Sequence, residues 1–424
     1  MSSINLQGFL FMSRQELIPH LFRSEFRKIA AVLCKTFGIE HIEVAEDIAS
    51  ETFLSALETW TYRGIPENPT AWLYTVAKNK AKNHLQRDKV FAEKVSKQLQ
   101  NSPLETNAVE EIDIDLSNQN IQDSQLQMLF AICHPSIAPE SQIALALRIL
   151  CGFGIAEIAN AFLSNKETIN KRLLRAKEKL RTEKIEISIP NEREIDERLE
   201  TVLTTLYLLF SEGYYSETED KVLREDLCAE AIRLTELLID NGPTNLPIVN
   251  ALYALMCFHA SRFPARKAED GKMILYRDQD ESLWDQELIV KGAYHLKKAS
   301  TGNKLSKYHI EANIAFWHTV KADTKEKWEN ILQLHNILLQ IEYSPIAALN
   351  RTYALAMANS KQEAIKEAEK LQLKDNPYYF TLLGELYTDI DNEKAALNFQ
   401  TAYELAKTKA DKQAIQEKIE RLFN

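Results

Sequence analysis

The chain has 424 residues, more than one compact core usually holds, and its 45% hydrophobic and 26% charged content is typical of a globular protein. Its 5 cysteines are scattered and lack a Cys-x-x-Cys pair, which argues against a disulfide framework or a zinc knuckle. There is no secretory signal pattern and no apolar run long enough to span a membrane, so we expect a cytoplasmic protein that does not enter a membrane.

The net charge of -10 is unevenly distributed. Residues 1–184 carry equal numbers of acidic and basic side chains, so the whole excess of negative charge lies in residues 185–424. The basic residues are concentrated in two segments, 72–97 and 166–184, and residues 98–147 contain no Lys or Arg. Because attraction to phosphate is local and screened by salt, the two segments could bind a polyanion although the whole chain is acidic.

Apolar residues recur at intervals of three or four almost everywhere, without the alternation typical of half-buried strands. We therefore predict an all-α fold. The first predicted domain, residues 10–97, consists of amphipathic helices interrupted at Gly38 and at the loop 64–69, whose prolines cannot continue a helix.

The helix predicted at residues 43–58 has an acidic face. Its buried side carries Ala45, Ile48, Thr52 or Phe53, and Ala56. Its opposite side carries Asp47, Ser50, Glu51, Leu54 and Glu58. An acidic stripe with a central leucine can bind a partner helix. Ordinary surface charge is the alternative.

Aromatic residues lie beside a basic face in residues 62–87. Pro66 and Pro69 shape a loop, after which Trp72 and Tyr74 open a helix. The polar side chains that follow on this helix are Lys78, Asn79, Lys82, Asn83 and Arg87. Single-stranded DNA is held by base stacking, pockets for flipped bases and a cationic groove, and this segment could supply all three. A role for Trp72 as a core anchor is the alternative.

Residues 98–124 are rich in Asn, Gln, Ser, Asp and Glu and carry few large apolar side chains, so we predict an acidic linker. A second small helical domain is predicted at residues 125–185. Within it, Ile155, Ile158 and Ala159 indicate a short helix, residues 162–165 a tight turn, and the next helix has an apolar stripe of Ile169, Leu173, Ala176 and Leu180. This is a helix-turn-helix pattern.

The outer face of that second helix carries candidate DNA contacts. Lys166, Asn170 and Lys171 lie near its N-terminal end, where side chains can reach base edges in a major groove. The residues placed for flanking phosphates are Arg172, Arg175, Lys177 and Lys179. A solvated Lys/Glu helix face is the alternative.

The remaining residues are predicted to form a helical extension at 186–300 and helical repeats at 301–424. Leu349, Asn350 and Tyr353 are matched 34 positions later by Leu383, Gly384 and Tyr387, which is the period of a tetratricopeptide (TPR) repeat. Downstream, Ala395, Phe399 and Ala402 have the small-large-small pattern of a second repeat helix. A coincidental pair of packed helical hairpins is the alternative.

Two segments resemble a known family. Residues 47–53, Asp-Ile-Ala-Ser-Glu-Thr-Phe, and 71–79, Ala-Trp-Leu-Tyr-x-x-Ala-x-Asn, closely resemble region 2 of extracytoplasmic-function (ECF) RNA polymerase sigma factors, and the helix-turn-helix resembles their region 4. Residues 60–73, the Cys-His-Pro at 133–135 and the stretch Asp-Gln-Asp-x-Ser-x-Trp-Asp at 278–285 look like the subgroup with a C-terminal TPR-like extension.

The resemblance implies a promoter-specificity subunit that binds the core of bacterial RNA polymerase and promoter DNA. The implied residues that dock on the clamp helices of the largest polymerase subunit are Asp47, Ser50, Glu51 and Leu54. The loop 64–69 and the following helix would bind the melted minus-ten element, with Asn68, Trp72, Lys78, Asn79 and Asn83 as the matching positions. The region 4 helix would read the minus-thirty-five element. From the size and net negative charge of the C-terminal region, we further predict that it modulates this activity and contacts its own sigma domains or another protein.

We find no catalytic constellation and predict a non-enzymatic protein without a cofactor or metal. Cys133 and His134 are two adjacent potential ligands without the two further ligands nearby that a tetrahedral zinc site needs. Two other classes of protein remain open. One is a helix-turn-helix transcriptional regulator that binds duplex DNA without polymerase, and the other is a TPR-type interaction scaffold.

Overall fold

The computed structural model describes residues 14–99, 114–191, 193–215, 221–266, 274, 276–406 and 409–423. Every regular element in these ranges is helical, so the predicted all-α fold is confirmed. The chain divides into two compact units, Met1–Thr244 (unit 1) and Asn245–Asn424 (unit 2).

Unit 1 contains nine helices within its described residues. They are α1 Arg14–Phe37, α2 Ile42–Arg63, α3 Pro69–Leu99, α4 Asn118–Ile132, α5 Pro139–Leu145, α6 Ile155–Ala161, α7 Lys166–Thr182, α8 Ile195–Tyr215 and α9 Lys221–Asp240. A short π-helical stretch, Ala146–Leu150, continues α5.

The central helix of unit 1 is α4. From Ser124 to Ile132 all of its side chains except Gln127 are buried. Such a helix needs apolar partners on every side. Those partners are α1, the π-helical stretch, α8 and α9. Helices α1, α8 and α9 and the π-helical stretch therefore share one core with α4.

Both ends of the predicted acidic linker, residues 98–124, lie in helices. Helix α3 extends to Leu99, and α4 begins at Asn118 because the Ser117 side chain accepts a hydrogen bond from the Asn120 backbone amide. Residues 100–113, the greater part of that prediction, lie outside the described residues.

The predicted boundaries after residues 185 and 300 do not coincide with the division into units. The first two helices of the predicted extension, α8 and α9, belong to unit 1, and the division falls at Thr244. Their apolar side chains, including Leu199, Leu203, Leu227 and Leu234, are buried.

Unit 2 contains ten helices within its described residues. They are α10 Pro247–Ala260, α11 Phe263–Arg266, α12 Gln286–Ala299, α13 Lys307–Trp317, α14 Lys325–Ile341, α15 Pro345–Ala358, α16 Lys361–Leu371, α17 Pro377–Tyr387, α18 Asn392–Leu405 and α19 Lys409–Leu422. From α13 onward each helix packs on its neighbours in the chain. This is the pattern of a stacked helical array.

The residues of the predicted repeats fall on matching helices. Leu349 lies on α15 and Leu383 on α17, and both are buried. Ala395, Phe399 and Ala402 are buried on α18, as their spacing predicted. A Cβ atom on Gly384 would lie 2.6 Å from the Phe399 ring, so glycine lets α17 and α18 approach closely. The assignment of these helices to the TPR class stays a prediction.

The segment Asp-Gln-Asp-x-Ser-x-Trp-Asp at 278–285 leads into α12. The Asp280 side chain accepts a hydrogen bond from the Ser282 amide, and Asp285 caps α12 by accepting from the Leu288 amide. Trp284 between them is buried. The two aspartates therefore have local structural functions. Among the described residues, no helix of either unit is both long and apolar enough to cross a bilayer.

Candidate nucleic-acid interface

Helix α2 has the two faces that its sequence predicted. Ala45, Ile48, Thr52, Phe53 and Ala56 are buried. On the other side, the predicted docking residues Asp47, Ser50, Glu51 and Leu54 are all exposed, and the Leu54 side chain is 55% exposed. An exposed leucine between carboxylates is available to a partner protein. The docking role of these residues stays a prediction.

The loop between α2 and α3 is shaped by Gly64 and Asn68. Gly64 ends α2 with φ of 83°, a conformation that side chains other than glycine rarely adopt. The Asn68 Oδ1 atom accepts a hydrogen bond from the Ala71 amide at 3.0 Å and so caps the start of α3. Asn68 is exposed, but its carbonyl oxygen is engaged in the cap.

Trp72 is half-buried and packs edge-on against Trp60, with 5.3 Å between ring centroids. Trp60 itself is only 1% exposed. Trp72 thus anchors α3 on α2 with part of its surface and leaves part available to a base. Tyr74 has a structural role, because its hydroxyl donates to Glu25 Oε2 at 2.6 Å and burial raises the pKa of the phenol.

The remaining predicted DNA contacts of α3 lie on its outer surface. Leu73, Ala77 and Ala81 are fully buried on the inner side. On the outer side, Asn79, Asn83 and Arg87 are exposed, while Lys78 and Lys82 are half-buried. Amide and cationic groups therefore share a solvent-facing strip, the arrangement needed to follow a nucleic-acid backbone.

The acidic face of α2 and the polar strip of α3 meet in an open cleft of about 280 Å³. Its lining includes Asp47 and Glu51 from α2, and Asn83 and Arg87 from α3. Lys80 Nζ lies 3.2 Å from Glu51 Oε2 across this cleft. The structure therefore brings together predicted docking and DNA-binding residues that are 32 to 40 positions apart in sequence.

As predicted, α6 and α7 are two helices joined by a short turn. Leu163 in the turn has φ of 45° and is 66% exposed, and the Asn165 side chain caps α7 by accepting from the Thr168 amide. The predicted apolar stripe of α7 is buried throughout: Ile169, Leu173, Ala176 and Leu180.

The N-terminal half of α7 presents its polar residues to solvent. Lys166, Asn170, Lys171 and Arg175 are exposed, and Lys171 pairs with Glu167 at 2.6 Å within the helix. The Arg172 guanidinium stacks over the Phe162 ring at 5.4 Å, which fixes its direction. These residues can reach a DNA groove, and their binding role stays a prediction.

Two cationic side chains in the C-terminal half of α7, Lys177 and Arg181, pair with carboxylates of α2, and the phosphate contacts predicted for Lys177 and Lys179 stay a prediction. Lys177 was placed among phosphate contacts, but it forms an ion pair with Glu46 of α2, a carboxylate that is only 6% exposed. Arg148 also donates to Glu46, at 2.8 Å, and Arg181 donates to Glu43 at 2.8 Å. The sequence did contain one signal, because Glu46 falls among the apolar residues of α2 and a buried carboxylate needs a cationic partner.

Comparison with known proteins places this geometry in a family. Residues 21–90 match Sigma-70 region 2, and residues 198–300 match a family of unknown function, DUF6596. A protein of Rhizobium meliloti (strain 1021), described as uncharacterized protein R00370, is 32% identical over 370 residues, which is 86% of each chain. No solved structure matches. Residues 21–90 therefore form a Sigma-70 region 2 domain, which supports membership of the sigma-70 family.

Sigma-70 proteins are non-enzymatic transcription factors, and region 2 supports a role in promoter recognition with the polymerase core and promoter DNA as partners. The matched residues 21–90 contain the acidic face of α2, the loop 64–69 and the polar strip of α3 up to Arg87. Helices α8 and α9 lie within or at the edge of the second matched family.

Helix α9 is joined to the sigma-70 region 2 by buried charges. Glu230 of α9 pairs with Arg27 of α1 and with Arg233. Arg233 also donates a hydrogen bond to the Leu150 carbonyl at 2.7 Å. Burial alone would raise the pKa of Glu230, but Arg233 and Arg27 outweigh it and lower that pKa. Nearby, Arg23 pairs with Glu157 of α6 at 2.9 Å and with Asp226 of α9.

The segment Cys-His-Pro at 133–135 is a structural turn. Cys133 is fully buried, which raises the pKa of its thiol to about 12. Gln142 Nε2 donates to the carbonyls of His134 and Ile137 at 3.0 and 2.9 Å. Within the described ranges, no group of three or more His, Cys, Asp or Glu side chains is arranged to hold a metal ion.

Proposed function

We propose that this sigma-70 protein is of the ECF type and directs core RNA polymerase to specific promoters in the cytoplasm. The observation that carries the proposal is the cleft between α2 and α3. An exposed acidic face that could dock on polymerase adjoins, through the Lys80–Glu51 pair, an exposed strip that could hold unpaired DNA. A factor that must couple polymerase binding to strand opening needs these two surfaces side by side.

In this proposal Asp47, Ser50, Glu51 and Leu54 bind the clamp helices of the largest polymerase subunit. The loop 64–69 and the exposed side of α3 bind the melted minus-ten element. Support comes from the exposure of Asn79, Asn83 and Arg87 above a fully buried inner face. Trp72 could stack on a base with the part of its ring that Trp60 does not cover.

Helices α6 and α7 are proposed as a region 4 helix-turn-helix that reads the minus-thirty-five element. The support is the buried stripe on one side of α7 and the exposed Lys166, Asn170, Lys171 and Arg175 on the other. Side chains near the N-terminal end of such a helix can reach base edges, and the arginines further along can reach phosphates.

The test is core-polymerase binding followed by run-off transcription with purified full-length chain. We expect it to bind sigma-free core enzyme and to select particular start sites. The double variant Asp47→Lys, Glu51→Lys should lose both activities. The control Glu197→Lys, Glu200→Lys, an equal change of charge at two exposed positions on α8, should keep them. A scaffold would do neither, and a helix-turn-helix regulator would bind promoter DNA without polymerase.

We also propose that unit 2 modulates this activity. Its helical array offers a surface for the chain's own sigma domains or for another protein. A chain ending at Thr244 would keep the whole of unit 1, whereas removal from Pro190 would take away helices that belong to its core. We expect truncation at Thr244 to change the run-off yield; an unchanged yield and unchanged start sites would contradict modulation.

A further inference from the structure

The turn between α14 and α15 of unit 2 leaves a group of large apolar side chains in solvent. Helix α14 ends at Ile341, α15 begins at Pro345, and three residues join them. The large apolar side chains that are between 37% and 64% exposed here are Ile337, Ile341, Tyr343 and Ile346. We call these four residues the apolar corner. Single exposed apolar residues are common on protein surfaces, but a group of them close together marks a binding surface.

The apolar corner is supported by buried residues of the same helices. They form a small core with α13, made of Ile310, Ile314, Leu338 and Ala347. The Ser344 side chain accepts a hydrogen bond from the Ala347 amide at 3.0 Å and so fixes the start of α15. Side chains on such a support lose less conformational freedom when they bind, which favours association.

The surface around the apolar corner carries almost no charge. In the whole chain 26% of the residues are charged, yet residues 330–350 contain a single charged residue, Glu342. Most of the exposed polar side chains among them are amides, such as Gln333, Gln340 and Asn350. Apolar side chains in a region depleted of charge are typical of the centre of a protein interface.

The polar groups at the edge of the apolar corner are complementary to a second copy of themselves. Glu342 forms an ion pair with Lys307 of α13 at 2.8 Å, so charges of opposite sign lie side by side. In a twofold dimer the same surface meets itself, and Lys307 of one copy can then face Glu342 of the other. An amide both donates and accepts hydrogen bonds, so Gln340 can pair with an amide of the second copy.

Charge also favours this surface for contact between two copies. The chain has a net charge of -10, and the whole excess lies in residues 185–424, so two copies repel each other through this region. The repulsion is smallest where charges are absent or balanced, as they are at the apolar corner. A strongly charged partner such as a nucleic acid would find no complementary charge there.

We propose that two copies of this chain form a twofold dimer through the apolar corner, with reciprocal Lys307–Glu342 pairs at its edge. The dimer goes beyond the proposed promoter selection and does not depend on it. Four large apolar side chains are fewer than a permanent interface buries, so we expect reversible association with a dissociation constant in the micromolar range.

Sedimentation velocity of the full-length chain over a range of concentrations tests the dimer. The double variant Tyr343→Glu, Ile346→Glu should raise the dissociation constant by about tenfold or more, because like charges would meet at the centre of the interface. The matched control Tyr294→Glu, Leu397→Glu adds the same charge at similarly exposed positions on α12 and α18 and should leave the constant unchanged. A wild-type chain that stays monomeric up to hundreds of micromolar would overturn the proposal, as would unweakened association of the Tyr343→Glu, Ile346→Glu variant.

Charge reversal tests the twofold arrangement separately. Lys307→Glu and Glu342→Lys should each weaken self-association, because like charges then face each other at both edges of the interface. An equimolar mixture of the two variants should restore dimers, since each introduced charge then faces an opposite charge on the other copy. The same reversals at another ion pair of unit 2, Lys321→Glu and Glu281→Lys, should have no effect alone or mixed. A mixture that associates no better than either single variant would overturn the twofold arrangement.

A different occupant of the apolar corner would give a different result. If core polymerase covered this surface, the Tyr343→Glu, Ile346→Glu variant would lose core binding while the wild-type chain sedimented as a monomer, and the dimer would be excluded. The changed side chains are exposed, so the circular dichroism spectrum and thermal unfolding of each variant should match those of the wild type. The charge-reversal mixture keeps the test decisive even if one double variant folds poorly.

Discussion

Thr205 of α8 donates a hydrogen bond from its hydroxyl to Gln142 Oε1 of α5 at 2.7 Å, and both side chains are buried. The amide nitrogen of the same Gln142 holds the turn at 134–137 through two carbonyls. One glutamine therefore joins the Cys-His-Pro turn, α5 and α8. The turn that carries the two potential metal ligands Cys133 and His134 is thus held by hydrogen bonds within the protein.

Replacing Thr205 by Val should lower the free energy of unfolding of unit 1 by about 1–3 kcal/mol, because Gln142 Oε1 would lose its buried donor. Thr204→Val, at a half-buried position on the same helix, is the control and should lower the free energy of unfolding by less than half as much. Urea denaturation of the full-length chain, with hydrogen exchange of α5 and α8 amides, measures both. Similar losses in the two variants would contradict the importance of this bond.

Local periodicity was enough to predict much of the site. The stripe Ile169, Leu173, Ala176 and Leu180 and the buried side of α2 were both readable from intervals of three or four residues. The helix cap at Ser117 could not be predicted in this way, because a stretch rich in Asn, Gln and Ser resembles a linker until the helix that follows has apolar partners.

Contacts between distant segments could not be predicted from the sequence. Arg27 and Glu230 are separated by 203 positions, and nothing local indicates which of many Arg and Glu residues will pair. The same holds for Lys177 and Glu46. An amphipathic pattern shows that α8 and α9 each have an apolar face to bury, but it does not show which helices cover that face. For this reason the predicted domain boundary at 185 differs from the observed division at Thr244.

Glu46→Gln should destabilise unit 1 by about 3 kcal/mol, because it leaves Arg148 and Lys177 without their shared anion in a nearly buried position. Glu58→Gln, on the exposed side of the same helix, should leave the free energy of unfolding nearly unchanged. Chemical denaturation of both variants at the same ionic strength is the measurement. A neutral result for Glu46→Gln would show that water or a rearranged side chain replaces the carboxylate.

Arg175→Ala should weaken promoter binding of the polymerase complex and reduce the slope of log affinity against log salt concentration by about 1, as expected for the loss of one phosphate contact. Arg175 is exposed on α7, so the folded structure should be unaffected. Lys366→Ala removes an exposed cation from α16 of unit 2 and should leave the slope unchanged. Identical slopes for Arg175→Ala and wild type would remove this residue from the DNA interface.

Unit 2 should lose stability as the pH falls below 6.5. Burial, followed by Arg262, Lys327 and His335, lowers the pKa of His318 to about 3, and burial with Arg351 lowers that of His335 to about 4. The folded state therefore binds these protons less readily than the unfolded state, so the stability is fully present above pH 6.5 and is lost toward the folded pKa values. Each histidine should cost about 2 kcal/mol by about pH 5.

The check is the free energy of unfolding of unit 2 between neutral and mildly acidic pH. His335→Gln should flatten this pH dependence, because the uncharged amide has no proton to gain. His41→Gln, at an exposed position in unit 1, should leave the unit 2 profile unchanged. A profile with the same slope in wild type and His335→Gln would exclude this histidine as a cause of acid sensitivity.

Gly384→Ala should lower the free energy of unfolding of unit 2 by about 1–3 kcal/mol, because the new Cβ would overlap the Phe399 ring between α17 and α18. Lys366→Ala, at an exposed position on α16 of the same unit, is the control and should change this free energy little. A second-site change, Phe399→Leu, should recover part of the loss in Gly384→Ala while being destabilising in the wild-type background. Independent, additive effects of the two changes would contradict the close approach of these helices, because residues in direct contact should be coupled.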